Sequence, residues 1–126
     1  MNLMPFREIL KSALGDDVAI YVFHLPDTVS EGILLLHNLS GARLDPNLPN
    51  YKKAKFQIIV RNPNFESGYA LAKQAMDAFK VVKRYSDGVV LINFIEPLHD
   101  PVSYPSSKGN FIEFSVNFET AYVEHQ

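Results

Sequence analysis

The sequence predicts an α+β fold: a mostly antiparallel β-sheet with one long and one short α-helix packed on one face. Three observations point there. Residues 55–61 and 111–123 alternate apolar and polar side chains at the period of a half-buried strand. Residues 64–84 carry an apolar stripe at helical period, and residues 6–14 repeat that signal on a smaller scale. With 126 residues, 47% hydrophobic and 21% charged, the length and composition fit one domain spanning 1–126.

The elements are taken in chain order. Phe6, Ile9, Leu10, Ala13 and Leu14 recur at spacings of three and four, with Pro5 suited to a first helical turn and Gly15 just past the end. Asp16 and Asp17 break the pattern before VAIYVFHL, a β-branched and aromatic run closed by Pro26, which reads as a strand. GILLLHNL, residues 32–39, fits a buried strand by its flanks, although its periodicity also admits a helix. Residues 40–53, SGARLDPNLPNYKK, read as a long polar loop. In residues 55–61, Phe56, Ile58 and Val60 face one way. Lys55, Gln57 and Arg61 face a side that is mostly wet, with Ile59 the apolar intruder.

The long helix is expected from Asn64 to about Arg84, burying Phe65, Tyr69, Ala72, Met76 and Phe79, with Ala75 and Val82 widening the stripe. Ser86, Asp87 and Gly88 form a turn, and VVLINFI reads as a buried strand ended by Glu96 and Pro97. A second proline-bearing loop, EPLHDPVSYPSSKGN, leads to the last strand. There Ile112, Phe114, Val116 and Phe118 alternate with Glu113, Ser115, Asn117 and Glu119.

Several function classes drop out. No run approaches the roughly 18 apolar residues of a membrane span. Arg7, Glu8 and Lys11 interrupt what would be a signal peptide's apolar region, so a soluble, cytoplasmically made protein is expected. The absence of cysteine removes disulfides, thiolate nucleophiles and Cys-ligated metal sites. A net charge of -2 does not advertise nucleic-acid binding.

The strand-to-helix corner Asn62-Pro63-Asn64 lacks the glycines that bring backbone amides to a phosphate, and Glu66 would repel an anion. Its residues suit a turn: Pro63 holds Asn62 extended, and Asn64 can cap the helix. His24, His37, His99 and His125 show no metal-ligand spacing. His99 and Asp100 adjoin between two prolines, where a solvated loop is the simpler reading. No nucleophile elbow or placed base accompanies the serines. No enzyme activity, cofactor or metal is therefore expected. Arg43, Lys52, Lys53 and Lys55, with Tyr51 among them, form the basic concentration. It reads as a solvated rim, a modest phosphate-contacting patch or a surface for an acidic neighbouring subunit.

FQIIVRNPNFESGYALAKQAMDAF, then INFIEPLHDPVS and GNFIEFSVNFETAYV, resembles the tail terminator and minor capsid proteins of long-tailed bacteriophages. Arg61, Tyr69, Ala72, Met76, Phe79, Phe114, Val116 and Phe118 stand where that family's pattern wants them; Lys108-Gly109-Asn110 stands where it often has a Gly-Arg pair. The resemblance implies a hexameric ring that stops tail-tube polymerisation and offers a docking face to the head. Its implied partners are further copies of itself, the tail tube protein and head-tail connector proteins, with no membrane and at most passing contact with DNA. It places the protein in the virion at the head-proximal end of the tail, assembled in the host cytoplasm, and transfers no catalytic residue. Arg43, Tyr51, Lys52, Lys53, Lys55, His99 and Tyr104, on the two long loops, are the candidate interface. A head-tail connector or other minor virion protein is the neighbouring reading, and a small enzyme or ligand-binding α+β domain the one from a different class.

Overall fold

The computed structural model describes residues 2–26, 28–37, 43–45, 48–82, 84–86, 88, 90–105 and 111–124. Helix α1, Met4–Leu14, starts with Pro5 in its first turn and ends at Gly15, whose φ of 84° and N–H bond to the Lys11 carbonyl close the last turn. Eight strands complete the chain: β1 Ile20–Val22, β2 Gly32–His37, β3 Arg43–Asp45, β4 Leu48–Asn62, β5 Tyr85–Ser86, β6 Val90–Pro97, β7 Val102–Pro105 and β8 Ile112–Glu124, with helix α2, Phe65–Lys80, between β4 and β5. They form one sheet of order β1-β2-β4-β8-β6-β5, with β3 paired to β4 and β7 paired to β8. Every pairing is antiparallel except β1 with β2. The α+β class, with both helices on one face of the sheet, is as expected.

Period-two patterning sets the register. Phe56 lies opposite Phe118, Ile58 opposite Val116 and Val60 opposite Phe114, so both apolar faces of the central strands turn to the same side. The helices cover that side. Phe79 of α2 meets Phe6 of α1, Phe56 and Phe118, with ring centroids 6.3, 5.2 and 5.1 Å away, and all four rings are buried. Ile33 and Leu35 of β2 and Ile92 and Ile95 of β6 extend this core sideways.

Several expectations need correction. The long loop at 40–53 holds β3 and the start of β4; residues 38–42 and 46–47 lie outside the described residues. The second long loop contains β7, while residues 106–110, and with them Lys108-Gly109-Asn110, lie outside the described residues. The first strand is three residues long, since the chain turns at Phe23 with a φ of 71°. Helix α2 ends at Lys80, short of Arg84: the Val81 N–H still bonds the Asp77 carbonyl, the Val82 N–H turns to the Phe79 carbonyl in a tighter final turn, and Val82 packs on the core.

Tyr69 is not a core residue, being 39% exposed. The cause is Gly68. A Cβ there would fall inside van der Waals contact of the Phe114 ring and 3.0 Å from Asn62 Cβ, so the bare backbone lets α2 settle directly on β8. This close approach centres the buried stripe on Gly68, Ala72, Ala75, Met76 and Phe79 and leaves Phe65 and Tyr69 on its flank. Gly68→Ala is expected to lower stability by about 1 to 2 kcal/mol: forced overpacking outweighs the gain of about 1 kcal/mol in helix propensity. A denaturant midpoint at or above the parent's would show that the helix has room.

Candidate functional site

The corner at residues 62–67 turns the chain. The Asn62 side chain accepts the Asn64 N–H at 2.8 Å, and the Asn64 side chain accepts the Ser67 N–H at 3.0 Å, capping α2. Glu66 occupies the first turn, opposite in sign to what an anion site needs.

The candidate interface residues fall into two groups. Arg43 pairs with Lys53 across β3 and β4, Lys52 lies between Leu44 and Tyr122, Tyr51 lies opposite Val123, and Lys55 lies opposite Glu119. These five positions share one ribbon, on which the Lys53 and Lys55 side chains are exposed. β3 packs mainly on β4, while the stretch of ribbon at Lys53 and Lys55 borders the core, since Ala54 between them is buried in it. Tyr104 sits at the other end of the sheet, paired with Glu113, six residues along β8 from Glu119, a separation of about 20 Å at strand rise, while His99 lies between, bonded to Asn117 across β8 from β4. The structure does not bring the two groups together.

His99 acts as a clasp. Its Nδ1 lies 2.7 Å from the Asp100 carbonyl, which can only accept, so Nδ1 carries the proton; Nε2 then accepts the Asn117 N–H at 3.2 Å. Both ring nitrogens are engaged in pinning the β6–β7 connection to β8, and the Leu98 N–H bond to the Asn117 carbonyl at 2.8 Å adds to the same junction. Asp100 turns to Lys73 of α2, 3.7 Å away. Two surface depressions are lined by other residues, one by Arg7, Lys11, Asp16 and residues 18–21, the other by Ile9, Ser12, Ala13, Val81, Val82, Arg84 and Tyr85. Among the described residues, no group of three His, Asp or Glu gathers where a metal could be held.

Arg61 departs from the expectation of a wet face, since it is buried. Its Nε donates to Glu113 at 3.2 Å, its Nη1 donates to the Pro26 and Val29 carbonyls at 3.0 Å each, and its guanidinium lies 5.4 Å from the Phe111 ring centre. One side chain thus ties β4, β8 and the crossover between β1 and β2 together on the side of the sheet away from the helices. Tyr104 adjoins this knot. Burial, then the Glu113 carboxylate, raise its phenol above the ordinary value, while Arg61 pulls the other way.

Sequence reasoning missed the exposed aromatics. Phe65, 51% exposed, stacks on Tyr69 with centroids 6.2 Å apart, both leaning on buried Phe114. Phe23 is exposed at the β1 edge, its ring edge-on to His37 at 5.0 Å. Helical phase assigns Phe65 and Tyr69 to the core; Gly68 in the same turn was the available signal that the phase is displaced. Nothing local marks Phe23.

Comparison with known proteins adds to this geometry. No curated protein matches the chain. A chain of the "Virion of native gene transfer agent (GTA) particle" shares the fold, with a TM-score of 0.71, 15% identity, and 97% of this chain and 93% of that one covered. A second solved chain, 13% identical over 100% of this chain and 97% of its own, superposes with a TM-score of 0.49. A family model described as "Bacteriophage tail terminator protein" matches residues 3–124. The chain, a cysteine-free α+β sheet with a helix-covered core and a basic ribbon, thus belongs to the bacteriophage tail terminator family.

Proposed function

We propose that the protein, one domain per copy, forms a hexameric ring that caps the tail tube and carries the surface to which the head joins. It works at the head-proximal end of the tail as a structural part, without catalysis, cofactor or metal. Family membership supports a tail structural role. The observation that carries the finer reading is the ribbon of β3 and β4, which gathers Arg43, Tyr51, Lys52, Lys53 and Lys55 on one strand pair with Lys53 and Lys55 exposed. A basic, aromatic-bearing strand pair suits contact with an acidic protein surface. Tyr104, at the opposite end of the sheet, and His99, which clasps Asn117 across β8 from the ribbon, belong to a second contact surface. The tail tube protein and the head-tail connector proteins are the two partners that a capping ring meets, one on each side. DNA crossing the ring makes passing contact at most.

The test reverses two ribbon charges. Lys53→Glu with Lys55→Glu is expected to keep the parent's circular dichroism, since both side chains are exposed and exposed charges contribute little to a domain's own stability. Tail completion should fall by about tenfold or more as like charges meet the partner. Native mass of the parent, alone and with tail tube protein, checks the ring. A parent that stays monomeric in both conditions removes the hexamer; a double variant that completes tails as the parent does removes the ribbon.

A further inference from the structure

We infer that the two ends of α2 are complementary surfaces through which one copy of this protein docks on the next. The N-terminal end presents a knob, the stacked and exposed Phe65 and Tyr69, with Glu66 exposed beside them. Exposed aromatic area on a helix that otherwise buries its apolar face is unused by the fold itself. The C-terminal end presents a groove of about 630 Å³ between α1 and the residues after α2, lined by Ile9, Ala13, Val81, Val82 and Tyr85. Its rim is basic: Arg84 lines it, and Lys80 ends the helix. Val81, at 72%, is the most exposed large apolar residue among those described.

Charge and position identify the occupant. An acid flanks the aromatic knob and a base flanks the apolar groove, so the knob of one copy fits the groove of another and repels a second knob. Sixteen residues separate Phe65 from Val81, about 24 Å of helix, so the knob cannot reach its own groove. A patch that meets a different patch on the next copy makes a head-to-tail contact, which generates a closed ring when its rotation closes. This pairing rests on the proposed ring. It assigns the subunit contacts to α2 and leaves the β3–β4 ribbon free for the tail.

Two kinds of variant test it. Glu66→Arg and Arg84→Glu, each alone, should weaken self-association about tenfold, and the two together should restore it, because the pair then meets with its signs exchanged. The chain has no cysteine, so Phe65→Cys with Val81→Cys can form disulfides only between copies. Under oxidation the double cysteine variant should give a ladder of covalent oligomers on a non-reducing gel, with each single variant giving dimers at most. Charge variants that associate like the parent, together with an assembled double cysteine sample that yields no ladder, overturn the α2 pairing and leave the ring standing. A parent that never assembles, with or without tail tube protein, overturns both.

Discussion

Phe79→Ala is expected to destabilise the protein by about 3 to 5 kcal/mol, the usual range for truncating a fully buried Phe. The ring occupies the point where α2 meets α1 and both long strands, in contact with Phe6, Phe56 and Phe118. These neighbours are aromatic plates fixed by strand and helix backbones, so they cannot collapse into the space, and the cavity persists. Removing the side chain forfeits its transfer free energy and the edge-to-face contacts with Phe56 and Phe118. Denaturant titration checks it: a loss under about 1 kcal/mol would place Phe79 outside the core.

Arg61→Leu should cost about 3 kcal/mol, the low end of the range for removing one partner of a buried ion pair. Leucine fills much of the volume but takes the Arg61 donors from the Glu113 carboxylate and the Val29 carbonyl, while the Pro26 carbonyl keeps the Val29 N–H. Arg61→Lys keeps the charge but cannot span a carboxylate on one strand and two carbonyls on the crossover, so it should recover only part of the loss. A spectroscopic readout separates this knot from a general weakening. Arg61 lowers the Tyr104 pKa against the effects of burial and Glu113, so in Arg61→Leu the Tyr104 phenol should ionise at higher pH than in the parent. An ultraviolet titration with Tyr104→Phe as reference reports it. Unchanged tyrosine ionisation and a loss below about 1 kcal/mol would mean that Arg61 is a solvated surface residue.

The parts of this fold legible in the sequence are those where burial acts on a repeating backbone. Phe56, Ile58 and Val60, and likewise Phe114, Val116 and Phe118, show period two because the helices cover one side of those strands. The cap at Asn64 and the stop at Gly15 were legible because each is a local hydrogen-bonding problem with few solutions. The strands β3 and β7 were not, since both are short partners of longer strands and lie near prolines that argue for loop. Arg61 looked solvated for a related reason. Its three partners come from 26–29 and 113, and no window of sequence holds them together. The candidate interface was half legible: the charge cluster at residues 43–55 gathers on one ribbon, whereas the aromatics at the start of α2 read as core because phase alone does not reveal a close approach at Gly68.

The place of β8 in the sheet bears on when a copy becomes competent to assemble. It is the last strand in chain order, yet β4 lies along one of its sides and β6 and β7 along the other. Until the ribosome has made residues 112–124, β4 has no partner on that side, β6 has only the two-residue β5 beside it, β7 has no strand to join, and Gly68 has no Phe114 to settle on. Folding must therefore wait for contacts that span more than fifty residues, such as Gln57 with Ser115, and is slow by its topology. A growing chain lacks Phe114, on which Phe65 and Tyr69 lean, so the self-association proposed above can draw only on chains in which β8 is complete and in place.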